Sequence, residues 1–581
     1  MPAASPTPCA ALDAPAKSRR PRKTDDLEEQ RSQEPPLSTW SLLTLASGLG
    51  ATQFAWSVQN AYGTPYMNSL GIPAQWTALV WLASPFAGLI VQPSIGPLSD
   101  ETPGRFRRRS WLIASSILTF IALGWTSWAD AFPSAFAITS SSGKKGTTIA
   151  VAVGGLWTAN FALNGMQATV RDLLLDQSPA YQQPLANAYA TRFADVAATL
   201  GYLAGYFRLS SWSALDWMSS SFSSSTTSGN TQFRKLVLLS IIASGLLVVL
   251  VCATQKERDW PEEKKGGEGK WRRVWRDLWE AVRGCPVEVR RVCYIQILAW
   301  IGYNALLVYS TTYISYIVYS TTPSSSPQPS SDEATRYGSF ALVLYSLVAL
   351  ASSIFFPWLA SLGGRPAVLR HLSSTSSSGR FLRKVLSTLT PRNLWTLGLL
   401  VFAAALGGAT FTVKTVGQAQ AVIAVVGFSW AVGEWVPYAL VLETVRELEQ
   451  APKLPPSPTS FLHASLSSSS PTTSARPGGT LLGLHATSIV LAKIVLSCCA
   501  SLIFKLTASA DAASGHGGKS GAVWVLRLGG LAGLGAAAMS RWTRETASER
   551  RYREGLLSAR EEGEERQEEW EAGEDEKSRA R

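Results

Sequence analysis

Ionisable side chains stand inside several apolar segments of this chain, where a charge is expensive to keep. Two of them, Asp172 and Asp176, are four residues apart, so a helix would place them on the same side. The set inside apolar segments comprises Arg171, Asp172, Asp176, Arg192, Asp195, Glu434 and Lys493. A carboxylate in such a place can become neutral by taking up a proton, so each group is a functional candidate by default.

A dense group of arginines separates two of the apolar segments. The first segment ends in GPLSD (Gly96–Asp100), and a cluster from Arg105 to Arg109 precedes the second. Glycine permits a tight exit from a helix, aspartate can accept hydrogen bonds from neighbouring helix ends, and arginines supply positive charge. This spacing predicts a gating motif made of Gly96, Asp100, Gly104, Arg105, Arg108 and Arg109. An arginine cluster that only sets membrane orientation is the alternative.

The composition indicates the elements that must position these groups. Of 581 residues, 46% are hydrophobic and only 16% are charged, with 46 Gly and 22 Trp, which suits membrane helices. Apolar segments recur with lengths near the roughly 20 residues that span a bilayer. About twelve can be placed, approximately at Thr39–Tyr66, Thr77–Ser99, Ser110–Phe132, Thr148–Leu175, Asn187–Ser211, Lys235–Thr254, Val292–Tyr319, Arg336–Ser361, Asn393–Val413, Gln418–Leu442, Thr480–Lys505 and Ser520–Ser540. The fold class is therefore an all-α polytopic membrane protein.

The net charge of +12 follows the loops rather than a ligand site. Lys and Arg collect in alternate loops, such as Arg105–Arg109, Lys256–Arg291 and Arg365–Arg392, which is the positive-inside signature. We therefore expect both termini in the cytosol and no nucleic-acid partner. The six Cys lack metal-ligand spacing and the four His are scattered, so we expect neither an enzyme nor a metal site.

The segments divide the chain into two membrane halves with soluble connections. We expect a disordered cytosolic terminus at 1–36, a six-helix half at 37–254, a cytosolic loop at 255–291, a second half at 292–540 and a charged tail at 541–581. Within the loop, Lys270–Arg283 predicts an amphipathic helix, either on the inner leaflet or packed on the bundle. Two six-helix halves are the plan of major-facilitator transporters, which place substrate near the midplane.

Several short segments narrow this plan to one branch. The runs LGIP (Leu70–Pro73), VQP (Val91–Pro93), GATQFAWSVQ (Gly50–Gln59), GMQATVRDLLLD (Gly165–Asp176) and PYAL (Pro437–Leu440) are spread over both halves. They resemble plant sucrose–proton symporters and their fungal relatives, which form part of the glycoside–pentoside–hexuronide branch of the major-facilitator superfamily. The resemblance implies twelve transmembrane helices in two six-helix halves and sugar import driven by protons.

The resemblance also implies roles for single residues. Asp176 matches the motif aspartate and would take up the coupling proton. Asp172 stands where the family has a small residue, one helical turn before Asp176, and would compete for that proton or pair with Arg192. A helix end at the cytosolic interface is the alternative reading of Asp176. Sugar hydroxyls and rings would contact Gln53, Gln59, Arg192, Tyr303 and Asn304. Glu434 and Lys493, which are functional candidates because they are charged residues inside apolar segments, could alternatively form a structural pair within the second half.

Departures from the family pattern leave the substrate open. Ser310-Thr311-Thr312 replaces an acidic run, and Ala492-Lys493 stands where Pro-Gln is typical. The leading hypothesis is a proton-coupled symporter for sucrose or a related α-glucoside such as maltose. A facilitator or exporter of another small solute and a non-transporting sensor are the alternatives. We expect a monomer in the lipid bilayer, at the plasma membrane rather than the vacuole, with the proton as coupling ion and no cofactor.

Overall fold

The computed structural model describes residues 36–100, 106–179, 182–213, 229–255, 282–323, 325–363, 390–450, 477–514 and 520–543, with a few isolated residues between and after them. Throughout this described part the chain is helical, without a strand. Four predicted features lie outside the described residues: the gating residues Gly104 and Arg105, the N-terminal segment, most of the central loop and most of the charged tail.

The first half contains six long helices that follow the predicted apolar segments. The chain enters α1 through Ser38, whose side chain accepts a hydrogen bond from the Ser41 backbone N–H at 3.1 Å. This N-cap satisfies one of the free donors of the first turn. The helices are α1 (Thr39–Ser69), α2 (Ala74–Val80 and Ala83–Asp100, separated by a turn), α3 (Arg107–Ser127), α4 (Ser141–Gln177), α5 (Gln183–Tyr206) and α6 (Gly229–Thr254).

The second half repeats this arrangement. Its third helix begins at a threonine cap, where the Thr390 hydroxyl accepts from the Asn393 backbone N–H at 3.3 Å and Pro391 occupies the first turn. The helices are α7 (Val287–Thr321), α8 (Ser331–Gly363), α9 (Pro391–Ala403, continued by a π-helical turn), α10 (Val416–Gln450), α11 (Pro477–Ser514) and α12 (Ser520–Ser540).

Ten of these helices are long and apolar enough to cross a membrane by length and composition. The other two are α1 and α5, which carry polar side chains such as Gln53, Gln59 and Asp195 within the span. Most residues of α1 are buried inside the bundle, so this helix offers little surface to lipid and tolerates the polar content. The twelve predicted segments therefore all coincide with helices, and composition alone qualifies ten as spans.

The helices pack as two bundles that meet mainly along three helix pairs, with smaller contacts of α8 with α1 and α6. Within the first bundle, α1 packs on α5 and α6, and α4 packs on α2 and α3. Within the second, α7 contacts α8, α10, α11 and α12, while α9 packs on α10 and α12. The bundles meet where α1 contacts α7, α5 contacts α8 and α2 contacts α11. Corresponding helices of the two halves thus occupy corresponding positions.

We name the two ends of the molecule by the course of α1: the proximal face is where α1 begins, and the distal face is where it ends. Close contacts between the halves occur toward the distal face. The Thr64 hydroxyl donates to the Val308 carbonyl at 3.2 Å. A β-carbon on Gly205 of α5 would lie 3.1 Å from Ser339 Oγ of α8, so glycine permits this approach. The distal face is therefore closed.

Candidate transport site and gates

A network of ion pairs fastens helix ends of the first half at the proximal face. Arg107 Nη2 lies 2.8 Å from Asp176 Oδ2, and Arg108 Nε lies 3.1 Å from the same oxygen. Arg108 Nη1 also contacts Asp172 Oδ2 at 3.2 Å and donates to the Ser99 hydroxyl. Because Arg108 is buried, these charge-assisted contacts tie the end of α2 and the start of α3 to the end of α4.

Glu257, just beyond α6, completes this network. Its carboxylate accepts the backbone N–H groups of Arg108 at 2.6 Å and Arg109 at 2.8 Å, and Arg109 Nε lies 3.2 Å away. A carboxylate at this place satisfies free donors at the first turn of α3 and favours the helix dipole. Arg109 Nη1 also donates to the Cys252 carbonyl of α6 at 3.0 Å. We call Arg107, Arg108, Arg109, Asp172, Asp176 and Glu257 the proximal clamp.

The predicted proton-coupling residues, Asp172 and Asp176, are members of the proximal clamp. Asp176 and Asp172 both contact Arg108 of the predicted gating motif, at the proximal end of α4. The partner foreseen for Asp172 was Arg192, whereas the ion pair in the structure is with Arg108; Arg192 is exposed on α5. Two further residues of the predicted gating motif, Gly96 and Asp100, lie in the last part of α2.

A row of amides follows one side of α4 toward the middle of the bundle. Its members on α4 are spaced by four and three residues, which keeps them on one helical face: Asn160, Asn164 and Gln167. Asn160 Nδ2 donates to Gln59 Oε1 of α1 at 3.2 Å. Gln92 of α2 donates through Nε2 to Asn164 Oδ1 at 2.9 Å and to Gln167 Oε1 at 3.3 Å. We call these five residues the amide row.

The amide row has spare hydrogen-bonding capacity. The Nε2 of Gln59 is buried and has no hydrogen-bond partner among the described residues. Buried polar atoms ordinarily find a partner, and sugar hydroxyls or water can fill that role. The predicted sugar contact Gln59 therefore lies in a suitable place, and Gln92, Asn160, Asn164 and Gln167 extend it. The spacing of Asn160, Asn164 and Gln167 along α4 was a sequence signal that could have located these three residues.

The second half contributes a layer of aromatic rings at a similar position. Trp430 of α10 lies 5.4 Å from Trp300, 5.5 Å from Tyr303 and 6.1 Å from Tyr345, measured between ring centroids. Tyr303 is only 2% exposed, and its hydroxyl donates to the Ser429 carbonyl at 3.0 Å. Tyr303 thus supports Trp300 and Trp430 from behind. We call Trp300, Tyr303, Tyr345 and Trp430 the aromatic layer.

Four charged residues from four helices face one another between the halves. Glu434 of α10 interacts electrostatically with Arg171 of α4 and Lys493 of α11, and Asp195 of α5 interacts with Glu434. Lys493 Nζ also lies 5.2 Å from the centre of the Trp300 ring, which is a cation–π distance. Glu434 and Lys493 are thus not a pair confined to the second half, because Arg171 and Asp195 belong to the first. We call these residues the central quartet.

The remaining predicted sugar contacts occupy less defined positions. Gln53 on α1 and Asn304 on α7 are half-buried. Arg171, in contrast, is exposed although it interacts with the second half, so solvent reaches the space between the halves at this level. Within the described residues, no group of three His, Cys, Asp or Glu side chains could hold a metal ion. The site thus offers amides, aromatic rings and charges.

Two six-helix halves that meet at one face and enclose polar groups near the middle are the arrangement of the major-facilitator fold. The solved structure of a D-xylose–proton symporter has this fold, with a TM-score of 0.55 at 16% identity over 88% of this chain and 99% of that one. This likeness confirms the predicted architecture.

Relatives found by sequence are more similar to this chain than the solved structure is. A general alpha-glucoside permease of Schizosaccharomyces pombe is 27% identical over 561 residues, which cover 87% of this chain and 94% of that protein. The sucrose transport protein SUC4 of Arabidopsis thaliana is 25% identical over 71% of this chain and 80% of its own length. No protein-family model matches. The relatives are transporters, not enzymes, and they confirm the predicted resemblance to sucrose and α-glucoside transporters.

Proposed function

We propose that the protein is a proton-coupled symporter that imports sucrose or a related α-glucoside such as maltose. The observation that carries this proposal is the polar centre of the bundle, to which the first half contributes the amide row and the second half contributes the aromatic layer. Amide groups suit sugar hydroxyls, and the faces of aromatic rings suit the apolar faces of a pyranose. The relatives in fungi and plants, which are named for α-glucosides and sucrose, support the same substrate class.

Transport in this proposal follows from rocking of the two halves around the polar centre. The distal contacts open to admit sugar and close behind it, and the proximal face then releases the sugar. The proximal face is cytosolic in this scheme, with both termini on that side, and the protein acts as a monomer in the plasma membrane. Gln53, Gln59, Arg192 and Asn304 contact the sugar in this scheme.

Tyr303 contributes to sugar binding indirectly in this scheme, by holding the rings of Trp300 and Trp430 in place. Its hydroxyl is already engaged by the Ser429 carbonyl at 3.0 Å, so the ring, rather than the hydroxyl, is its contribution. A tyrosine packed in this way fixes the orientation of the two tryptophans against which a sugar ring can stack.

The proximal clamp gives Asp176 and Asp172 a means to act in coupling. Asp176 is the shared partner of Arg107 and Arg108, at 2.8 and 3.1 Å. A proton on Asp176 removes the negative charge that holds both guanidinium groups, and Asp172 remains as a second partner of Arg108. Protonation would therefore loosen the ends of α3 and α4 and ease opening at the proximal face.

Uptake of radiolabelled sucrose and maltose by cells that express the protein tests this proposal. Uptake should rise as the external pH falls and collapse with a protonophore, and Asp176→Asn should abolish the dependence on pH. Asp130→Asn is the matched control, because Asp130 also pairs with an arginine, Arg234, but at the distal face. Unchanged, pH-dependent accumulation by the Asp176 variant would refute its role, and uptake that ignores the proton gradient would favour a facilitator.

A further inference from the structure

Two carboxylates that do not belong to the proximal clamp lie near the middle of membrane helices. Asp195 lies near the middle of α5 and Glu434 near the middle of α10. In the helices that the structure describes, they are the acidic residues more than two turns from a helix end. A proton carried across the membrane must bind at a place that both faces can reach in turn, and the middle of the span meets that requirement.

The two carboxylates also join the halves. Asp195 belongs to the first half, and its side chain lies near the Ser353 hydroxyl of α8 in the second. Glu434 belongs to the second half and interacts with Arg171 of the first. Asp195 and Glu434 interact with each other across the boundary. Any rocking of the halves must therefore change the electrostatic surroundings of both groups.

We propose that Asp195 and Glu434 form the carboxylate pair that binds the coupling proton in the middle of the membrane. This inference rests on the proposed function, since it specifies where the proton of a sugar symporter is held. In this scheme Asp172 and Asp176 act later, at the proximal face, where the proton leaves and the ion pairs of the proximal clamp loosen.

The charges of the central quartet provide a mechanism for the coupling. With both carboxylates ionised, two negative groups face the two positive groups Arg171 and Lys493, and the site is neutral. Two ionised carboxylates nevertheless repel each other in a medium of low dielectric constant, and one proton shared between them removes this repulsion. The proton arrives from water and forms one O–H bond on a carboxylate. It returns to water when the site opens on the other side.

Proton binding also changes what Arg171 can do. Once Glu434 is neutral, the exposed Arg171 guanidinium loses its electrostatic partner and can donate hydrogen bonds to sugar oxygens. By linkage, a sugar that engages Arg171 favours protonation of Glu434 to the same degree. The other neutral groups that face the pair are Ser353 beside Asp195 and the tyrosines Tyr303, Tyr345 and Tyr438 beside Glu434. Tyrosine and serine hydroxyls stay neutral at working pH.

The test uses the full-length protein in proteoliposomes, with two assays on each variant. One assay measures accumulation of labelled sugar under an inward proton gradient, and the other measures counterflow, the exchange of labelled for unlabelled sugar at equal pH. Counterflow requires binding and rocking but no net proton movement. The variants are Glu434→Gln and Asp195→Asn, with Glu434→Asp as the conservative exchange. Glu288→Gln serves as the matched control, because Glu288 pairs with Arg291 in the first turn of α7.

For one proton per sugar, a gradient of about two pH units allows about 100-fold accumulation by the wild-type protein. We expect Glu434→Gln and Asp195→Asn to reach only the external concentration, with counterflow within about twofold of wild type. Glu434→Asp and Glu288→Gln should still accumulate sugar. If a Gln or Asn variant does not fold, Glu434→Asp remains informative. It keeps a carboxylate at this position and should still accumulate sugar.

Three outcomes would overturn the inference. Accumulation by both neutral variants at wild-type level would show that the proton binds elsewhere, and the proposed symport would stand. Loss of both accumulation and counterflow in the two neutral variants, despite normal folding, would show that these side chains are needed for binding or rocking rather than for coupling the proton. A wild-type protein that shows counterflow without accumulation would refute the proton coupling itself.

Discussion

Replacing Arg336 by alanine is expected to loosen the contact that closes the distal face. Arg336 of α8 donates through Nε to the Tyr206 carbonyl of α5 at 2.8 Å, and its guanidinium lies 5.8 Å from the centre of the Tyr206 ring. The Tyr206 ring also packs against Phe340 of α8 at 4.9 Å between centroids. These three residues connect one half to the other, and we call them the distal latch.

The size of the effect follows from these contacts. A hydrogen bond from a charged group contributes about 1.5–3 kcal/mol, and a cation–π contact at an exposed site adds about 0.5 kcal/mol. Because Arg336 is only half-buried, we take about 2 kcal/mol for both together. Since about 1.4 kcal/mol is a factor of ten, the equilibrium should shift about 30-fold toward the distal-open state.

Pulsed electron paramagnetic resonance can measure this shift in lipid. Spin labels at Ser142 and Lys414, which are exposed near the distal face in the two halves, report the distance between them. The Arg336→Ala variant should show a longer distance in a much larger share of molecules than the wild-type protein. Arg208→Ala is the control, because Arg208 is an exposed arginine close to the latch. Identical distance distributions for wild type and Arg336→Ala would refute the reasoning.

Three further predictions concern the close approach at the distal face, the clamp and the amide row. Gly205→Val should slow sugar uptake, because a β-carbon would already lie 3.1 Å from Ser339 Oγ, and an unchanged maximal rate would contradict this. Glu257→Ala should lower the thermal unfolding midpoint in detergent by several degrees, since two backbone N–H groups lose a buried acceptor worth about 1–3 kcal/mol; an unshifted midpoint would argue against the clamp. Asn164→Leu should raise KM about fivefold by removing an acceptor of Gln92, which kinetic measurement of uptake checks.

The fold could be predicted from the sequence to a large extent because bilayer thickness sets segment length. Each of the twelve apolar segments coincides with a helix, and α3 begins at Arg107, within the arginine cluster. The helices α1 and α5 are less apolar than the others, and for α1 its place inside the bundle explains the polar content. The closed distal face depends on contacts such as Thr64 with Val308, which no local pattern encodes.

The site was less predictable, since its contacts join residues that are far apart in the chain. Burial cost identified Asp195, Glu434 and Lys493 as candidates, but their meeting across the two halves required the fold. Glu257 gave no signal, because it lies in a charged loop and acts on backbone groups of α3. Tyr303 was predicted as a sugar contact because it is an aromatic residue beside a polar site. In the structure its ring packs against Trp430 and supports that ring.

Recording the sugar flux and the proton flux in one experiment shows whether sugar and proton move together. Proteoliposomes with the full-length protein and a pH-sensitive dye in the lumen receive labelled maltose or sucrose from outside, with no imposed pH gradient. We expect the lumen to acidify as sugar enters, with parallel initial rates, and a protonophore to remove the acidification while sugar still equilibrates. Sugar entry at a constant luminal pH would show that no proton moves with the sugar.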